Sequence, residues 1–324
     1  MSDRGDPRAA DAERLTFLQE AVAASAALAA ADQLGVLGRL AQGPLDPASL
    51  ARECGIGERG ARMLVAALAG LGVAERGADG RYRATRLDGP RLARLRAPWD
   101  GLAEAIRDDR PTVAVDAPDV ANAVYPGAVG FLAVLFAPAA RRAAELLAGS
   151  GGRVLDAGAG AAPWSVAIAH RDPACRVTAV DLPGVIPVLR EAIAAAGLAD
   201  RFELVAGDLF TVELDRGAFD LAIAGNLCHL FDPAANRRLI GRLRDALRPG
   251  GRLAIIDAVP DERLDGPRAV VLYALGLLLR TRGGHAYPFS SFVEWLREAG
   301  FEGIERVALG EAPPATLIIA TRRA

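Results

Sequence analysis

The sequence predicts an α/β protein: a mainly parallel sheet, covered by helices on both faces and closed by an antiparallel hairpin, follows a smaller, mainly helical domain. Three observations predict it. From residue 153 onward, short apolar strand runs alternate with helix-length segments, the pattern of parallel strands joined by crossover helices. The last two strand runs, around "IERVALG" and "ATLIIATR", lie too close for a crossover helix and must pair as a hairpin. Residues 1–90 carry helical spacing instead of this alternation.

In chain order, Leu15, Leu18, Val22, Ala26 and Leu34 lie near helical spacing, predicting one helix from residue 11 to about 40 with a wide apolar face. Two short helices follow, joined by a glycine-containing turn at Cys54 to Gly57, and then a hairpin bending at Asp79 and Gly80. This is a winged-helix unit. DNA binding is disfavoured, because residues 1–90 hold 11 arginines against 12 acids and "RMLVAALAGLGV" is apolar where a reading helix needs polar side chains. The apolar surface predicts packing and dimerisation. Residues 91–150 form a helical connector, broken by Pro98, Pro111, Pro118, Pro126 and Pro138 and carrying Trp99, Tyr125, Phe131 and Phe136, aromatic residues that read as core first and as pocket candidates second. Residues 151–324 form the third part. Its strands are "RVLDAG", "RVTAVD", "FELVAGD", "FDLAIAGN" and "GRLAIID" before the closing pair, making seven, with an extra apolar helix, "PRAVVLYALGLLLRT", after the fifth.

Net charge is -2 and the three cysteines, Cys54, Cys175 and Cys228, form no C-x-x-C pair, so neither a disulfide framework nor a metal site is expected. The start carries no basic-then-apolar signal and the apolar runs are too short to span a bilayer. A soluble, cytoplasmic protein is expected, with neither nucleic acid nor membrane as partner.

The stretch "VLDAGAGAAPWSVAIA" joins a buried strand, a glycine-rich bend and a helix start, the arrangement that seats a nucleotide. A dinucleotide fingerprint begun at Gly158 would need Gly or Ala at its sixth position, where this chain has Pro163. Three acids, Asp156, Asp181 and Asp208, end three consecutive strands, and ligands sit at such strand ends.

In the ordered set "VLDAGAGAAP", "VDLPGVI", "AGDLF" and "LRPGGRLAIID" the chain resembles the class I S-adenosylmethionine-dependent O-methyltransferases. The likeness is to the group holding plant caffeate and hydroxyindole enzymes and bacterial polyketide-tailoring enzymes, and covers nearly the whole chain. It implies a Rossmann-like methyltransferase sheet, an N-terminal winged-helix dimerisation domain, a homodimer and S-adenosylmethionine as cofactor, leaving S-adenosylhomocysteine. Cofactor contacts are expected at Asp156 (ammonium or ribose side), Gly158, Gly160, Asp181 (ribose hydroxyls), Leu182, Gly207, Asp208 (adenine amine), Leu209, Phe210 and Asn226. Ala162 replaces the family's third glycine, and its small side chain permits close helix packing.

The resemblance puts the catalytic base at His229, past the fourth strand, and its orienting acid at Asp257, at the end of the fifth. Adjacent strands lie about 5 Å apart, so their tips can bring the two together. His170, at a helix end, reads as structural. Leu230 stands where the family has an acid, and "RGGHAYPFSSF" lacks the family's G-G-K-E, so the acceptor pocket is expected to differ from that of plant phenylpropanoid enzymes. Its candidate residues are Tyr125, Tyr273, Leu277, Arg280, His285 and Tyr287, with Arg280 able to pair with a carboxylate. The acceptor is expected to be a phenolic or enolic small molecule of secondary metabolism. Alternatives are carbon or nitrogen methylation with the same cofactor, and, further off, a ligand-sensing regulator.

Overall fold

The computed structural model describes residues 7–86, 97–149, 152–311 and 313–324. They cluster into two compact units, one ending at Gly101 and the other starting at Leu102. The first unit begins with α1 (Pro7–Gln33) and α2 (Val36–Gln42), where a single helix was expected. Gly35 is the reason: its φ of 70° is left-handed, and the chain resumes at 70° to α1. The bend lets Val36, Leu37 and Leu40 join Leu50, Val65 and Leu68 in a small core.

Two helices follow, α3 (Pro47–Cys54) and α4 (Glu58–Gly70), then an antiparallel pair, β1 (Ala74–Arg76) and β2 (Tyr82–Ala84). Asp46 caps α3, accepting the Ser49 backbone N–H at 2.9 Å, with Pro47 in the first turn where its missing N–H costs nothing. Leu15, Leu18 and Val22 of α1 are exposed.

In the second unit, α5 (Leu102–Asp108), α6 (Pro118–Val124) and α7 (Val129–Leu147) precede the sheet. The sheet has seven strands in the order β5-β4-β3-β6-β7-β9-β8. Here β3 is Arg153–Ala157, β4 Arg176–Asp181, β5 Phe202–Ala206, β6 Phe219–Gly225, β7 Leu247–Asp257, β8 Phe301–Glu311 and β9 Pro314–Arg322. Strands β3 to β7 pair in parallel, and β9 is antiparallel to both β7 and β8. The remaining helices are α8 (Pro163–Arg171), α9 (Ile186–Ala195), α10 (Pro233–Ala246), α11 (Arg268–Leu277) and α12 (Phe289–Glu298).

Successive strand side chains face opposite layers. Val154, Val177, Leu221 and Ile223 share a core with residues of α7, α8 and α9, whereas Leu155, Ala222 and Ala224 share one with residues of α10 and α12. Both faces are thus covered, so these strands read as unbroken apolar runs. Because β3 lies between β4 and β6, the crossovers leave it in opposite directions and open a crevice beyond the carboxyl ends. Among the described residues no single helix is long and apolar enough to cross a membrane.

Candidate active site

A cavity of about 320 Å³ lies at that crevice, within the range of small-molecule sites. Its walls come from the loops after β3, β4, β5 and β6, and from α6 and α7. In the loop after β3, Gly158 has a φ of 68°, and a Cβ there would sit 3.1 Å from Leu227 Cδ1. Only glycine combines that conformation with that approach. The Gly160 N–H donates to Asp181 Oδ2 at 2.7 Å, and the Leu182 N–H donates to Asp181 Oδ1 at 2.7 Å. Ala162, at the third-glycine position, is buried with a left-handed φ of 56°. That adds to the expectation of close packing a backbone demand that an L residue meets at a cost of about 1–2 kcal/mol.

Asp181 keeps one further lone pair on each oxygen, enough for two ribose hydroxyls. Burial raises its pKa, and the two backbone N–H bonds act against that. Asp208 Oδ1 accepts the Phe210 N–H at 2.9 Å, which leaves acceptor capacity for an exocyclic amine beside the apolar Leu209 and Phe210. Gly207 and Asn226 complete the rim. The glycine before Asn226, Gly225, is required by contact: a Cβ on it would lie 2.3 Å from Trp164 Nε1. These side chains fit the ribose and adenine parts of S-adenosylmethionine.

Asp156 departs from its expected place. It is buried beneath the loop and does not line the cavity; Oδ2 accepts the Ser165 hydroxyl at 2.5 Å, and Oδ1 is buried without a partner among the described residues. Its carboxylate is thus engaged inside the protein instead of facing a ligand's ammonium. Burial pushes its pKa from 3.8 up to about 7, the Ser165 hydrogen bonds offsetting only part of this. A raised carboxylate pKa means that the folded state binds the extra proton, so this contribution to stability is full below 3.8 and is lost as pH rises through about 7. Asp156→Asn removes the titration, and its melting temperature relative to wild type is expected to climb by a few degrees between pH 5 and pH 8. Parallel melting curves across that range would refute the assignment.

His229 and Asp257 meet as expected. The imidazole Nδ1 lies 2.7 Å from Asp257 Oδ1, and the His229 backbone N–H donates to Asp257 Oδ2 at 3.1 Å. The Ala258 N–H donates to Oδ1 at 2.8 Å. Asp257 can accept but not donate as a carboxylate, so it fixes the tautomer with the proton on Nδ1 and the lone pair on Nε2. Both side chains are almost fully buried, yet His229 reaches the cavity wall. At Nε2 the partner is the Tyr273 hydroxyl of α11, at 2.7 Å. Burial holds the Tyr273 phenol well above its usual range, so it stays protonated and donates. A nitrogen so prepared can take a proton from a hydroxyl group.

Of the acceptor-side candidates, Tyr125, Tyr273 and Arg280 line the cavity. Burial pushes Tyr125 up to about 12. The Arg280 guanidinium lies 5.3 Å from the Tyr273 ring centre, its Nε donating to the Gly276 carbonyl at 3.1 Å. The other three candidates are corrected. Leu277 is buried in the protein interior, and Tyr287 packs edge-on against Trp295 with its hydroxyl donating to the Phe231 carbonyl at 2.7 Å, so both serve the core. His285 is exposed and sits against Tyr287 outside the cavity.

Sequence reasoning missed Asp116, Val129, Leu132 and Trp164, which line the cavity together with the connector's Phe136. Asp116 pairs through Oδ2 with Arg282 at 3.1 Å, while its Oδ1 is buried and has no partner among the described residues. Most come from α6, α7 and the segments beside them, and no local motif marks them.

A family model for the O-methyltransferase domain matches residues 142–302, and one for the O-methyltransferase dimerisation domain matches residues 17–87. The chain is 32% identical over 328 residues to 3-hydroxy-5-methyl-1-naphthoate 3-O-methyltransferase of Streptomyces sahachiroi, covering 94% of each. It is 30% identical to the tetracenomycin polyketide synthesis 8-O-methyl transferase of Streptomyces glaucescens, covering 91% of this chain and 92% of that one. Human N-acetylserotonin methyltransferase, solved with S-adenosylmethionine, matches 100% of both chains with a TM-score of 0.77 at 22% identity, a likeness of fold. With both domains matched in order, and relatives aligned along nearly their whole length, the chain belongs to the O-methyltransferase family and is an S-adenosylmethionine-dependent methyltransferase.

Proposed function

We propose that the protein methylates the hydroxyl of a phenolic or enolic small molecule in a secondary-metabolite route, with His229 as base and Asp257 as its orienting acid. The observation that carries this is the three-member chain Asp257, His229, Tyr273, in which Nε2 already receives a phenolic hydrogen at the cavity wall. The naphthoate and tetracenomycin activities of the two bacterial relatives support the same acceptor class.

S-adenosylmethionine, when bound, supplies a methyl group on a sulfonium that needs no further activation. Asp181 would hold its ribose and Asp208, Leu209 and Phe210 its adenine, and the chain's task is then placement and proton removal. A phenol ionises near ~10, so at neutral pH its oxygen gains nucleophilicity when His229 takes the proton as the bond forms. Asp257 stabilises the imidazolium that results.

The test is product analysis with methyl-labelled cofactor and a panel of naphthols and matched arylamines. Hydroxyl-methylated naphthols are the expected product. Methyl transfer to carbon or nitrogen with the hydroxyls untouched would overturn the reading. A homodimer formed through the first unit is part of the proposal, supported by the matched dimerisation domain and by the exposed Leu15, Leu18 and Val22 on α1.

A further inference from the structure

Nothing in the reaction as derived requires the hydrogen bond between Tyr273 and His229. Asp257 occupies Nδ1, so Nε2 is the imidazole nitrogen left to face an acceptor, and it has one lone pair. That lone pair is already taken by Tyr273, 2.7 Å away, with the two rings edge-on at 5.2 Å. A substrate hydroxyl and the Tyr273 hydroxyl therefore exclude each other at this atom.

We propose that the Tyr273 hydroxyl is an internal surrogate for the acceptor hydroxyl, holding the Nε2 face of His229 until an acceptor displaces it. This deepens, and rests on, the reading of His229 as base. Between turnovers the surrogate satisfies a buried acceptor atom that would otherwise be costly to leave unpaired. It also keeps the imidazole in the tautomer that receives a proton. Held protonated by burial, Tyr273 offers Nε2 a neutral hydrogen bond and no more.

Competition at one lone pair sorts acceptors by acidity. A hydroxyl more acidic than tyrosine's donates a stronger hydrogen bond to Nε2, and one about as acidic as an imidazolium passes its proton and gains a charge-assisted pair, roughly twice as strong as the neutral bond it replaces. A simple alcohol gains only an equivalent bond and is turned away. The substrate class so defined is an aromatic or enolic hydroxyl acidified by its ring or by a conjugated carbonyl.

Titration calorimetry on the full chain, saturated with S-adenosylhomocysteine, tests this with para-nitrophenol as the probe. Tyr273→Phe is expected to bind para-nitrophenol about tenfold more tightly than wild type, the worth of one hydrogen bond that no longer has to be broken. Nitrobenzene, which lacks the hydroxyl, is expected to bind both proteins alike. In turnover of a naphthol a fall in KM is expected. Unchanged or weaker para-nitrophenol binding would overturn the proposal, as would an equal gain for nitrobenzene, which would mean that only space was created. On the unaltered chain, NMR of ring-labelled histidine provides a second measurement that needs no variant. Para-nitrophenol, and not nitrobenzene, is expected to move the His229 Nε2 resonance, and an unmoved resonance also overturns the proposal. These are binding readouts, so failure of the base assignment, seen as retained turnover in His229→Ala, is distinguishable from failure of the surrogate.

Discussion

His229→Ala is expected to lower kcat for a phenolic acceptor by about 10²- to 10⁴-fold, the usual contribution of a placed general base. The affinity for S-adenosylmethionine is expected to change little, because the acids fitted to its ribose and adenine, Asp181 and Asp208, lie at or just past the ends of β4 and β5, whereas His229 follows β6. Steady-state kinetics with a naphthol, paired with calorimetric binding of the cofactor, separates the two quantities. The loss is expected to shrink as the acceptor becomes more acidic, since an acceptor already ionised at the working pH has no proton to give. Full activity of the variant on a weakly acidic phenol would remove His229 from the mechanism and favour transfer to an atom that is nucleophilic without a base.

Asp257→Asn is expected to produce a loss of similar size by a different route. The carboxylate now accepts three hydrogens, from the His229 ring, the His229 backbone and the Ala258 backbone. An amide cannot accept all three. Turned one way, its NH₂ faces the His229 backbone N–H and strands a buried donor, costing about 1–3 kcal/mol of stability. Turned the other way, it favours the imidazole tautomer with the proton on Nε2, which cannot act as a base. Activity is therefore expected to fall about 10²-fold or more, with a lowered melting temperature, and ring-labelled histidine NMR reads the tautomer directly. Retention of wild-type kcat with an unchanged imidazole spectrum would show that Asp257 does not orient His229.

Much of this was legible because the evidence is local along the chain. Alternating runs of about five to seven apolar residues specify parallel strands buried on both faces, and the short gap between β8 and β9 specifies the hairpin. Asp181 and Asp208 could be placed because one ends β4 and the other lies two residues past β5, and strands laid side by side bring their ends together. His229 and Asp257 follow the same rule, since β6 and β7 pair in parallel with Gly225 opposite Ile256.

Where the expectation failed, the missing quantity was the direction of a side chain. Asp156 is the last residue but one of β3, whereas Asp181 is the last of β4, and Asp156 points into the interior, where the Ser165 hydroxyl of α8 donates to it. Tyr287 and His285 are close in sequence to the extra helix, and packing against Trp295 decides that Tyr287 serves the core. Leu277 and Arg280 are three residues apart, yet one is buried and the other reaches the cavity. The break at Gly35 likewise follows from a small core that needs Val36 and Leu40 turned back upon it.

By itself, then, the sequence determined the sheet, its order of strands and helices, the glycine-rich bend and the acids at the strand ends. These depend on residue periodicity and on glycine's conformational range, which act over a few residues. Only the tertiary structure decided that Tyr273 meets His229, that Asp116, Phe136 and Trp164 line the cavity, and that Asp156 stays beneath it. Those contacts join residues up to a hundred or more positions apart, and which of them form is set by how whole helices pack on the sheet, a choice that no local pattern encodes.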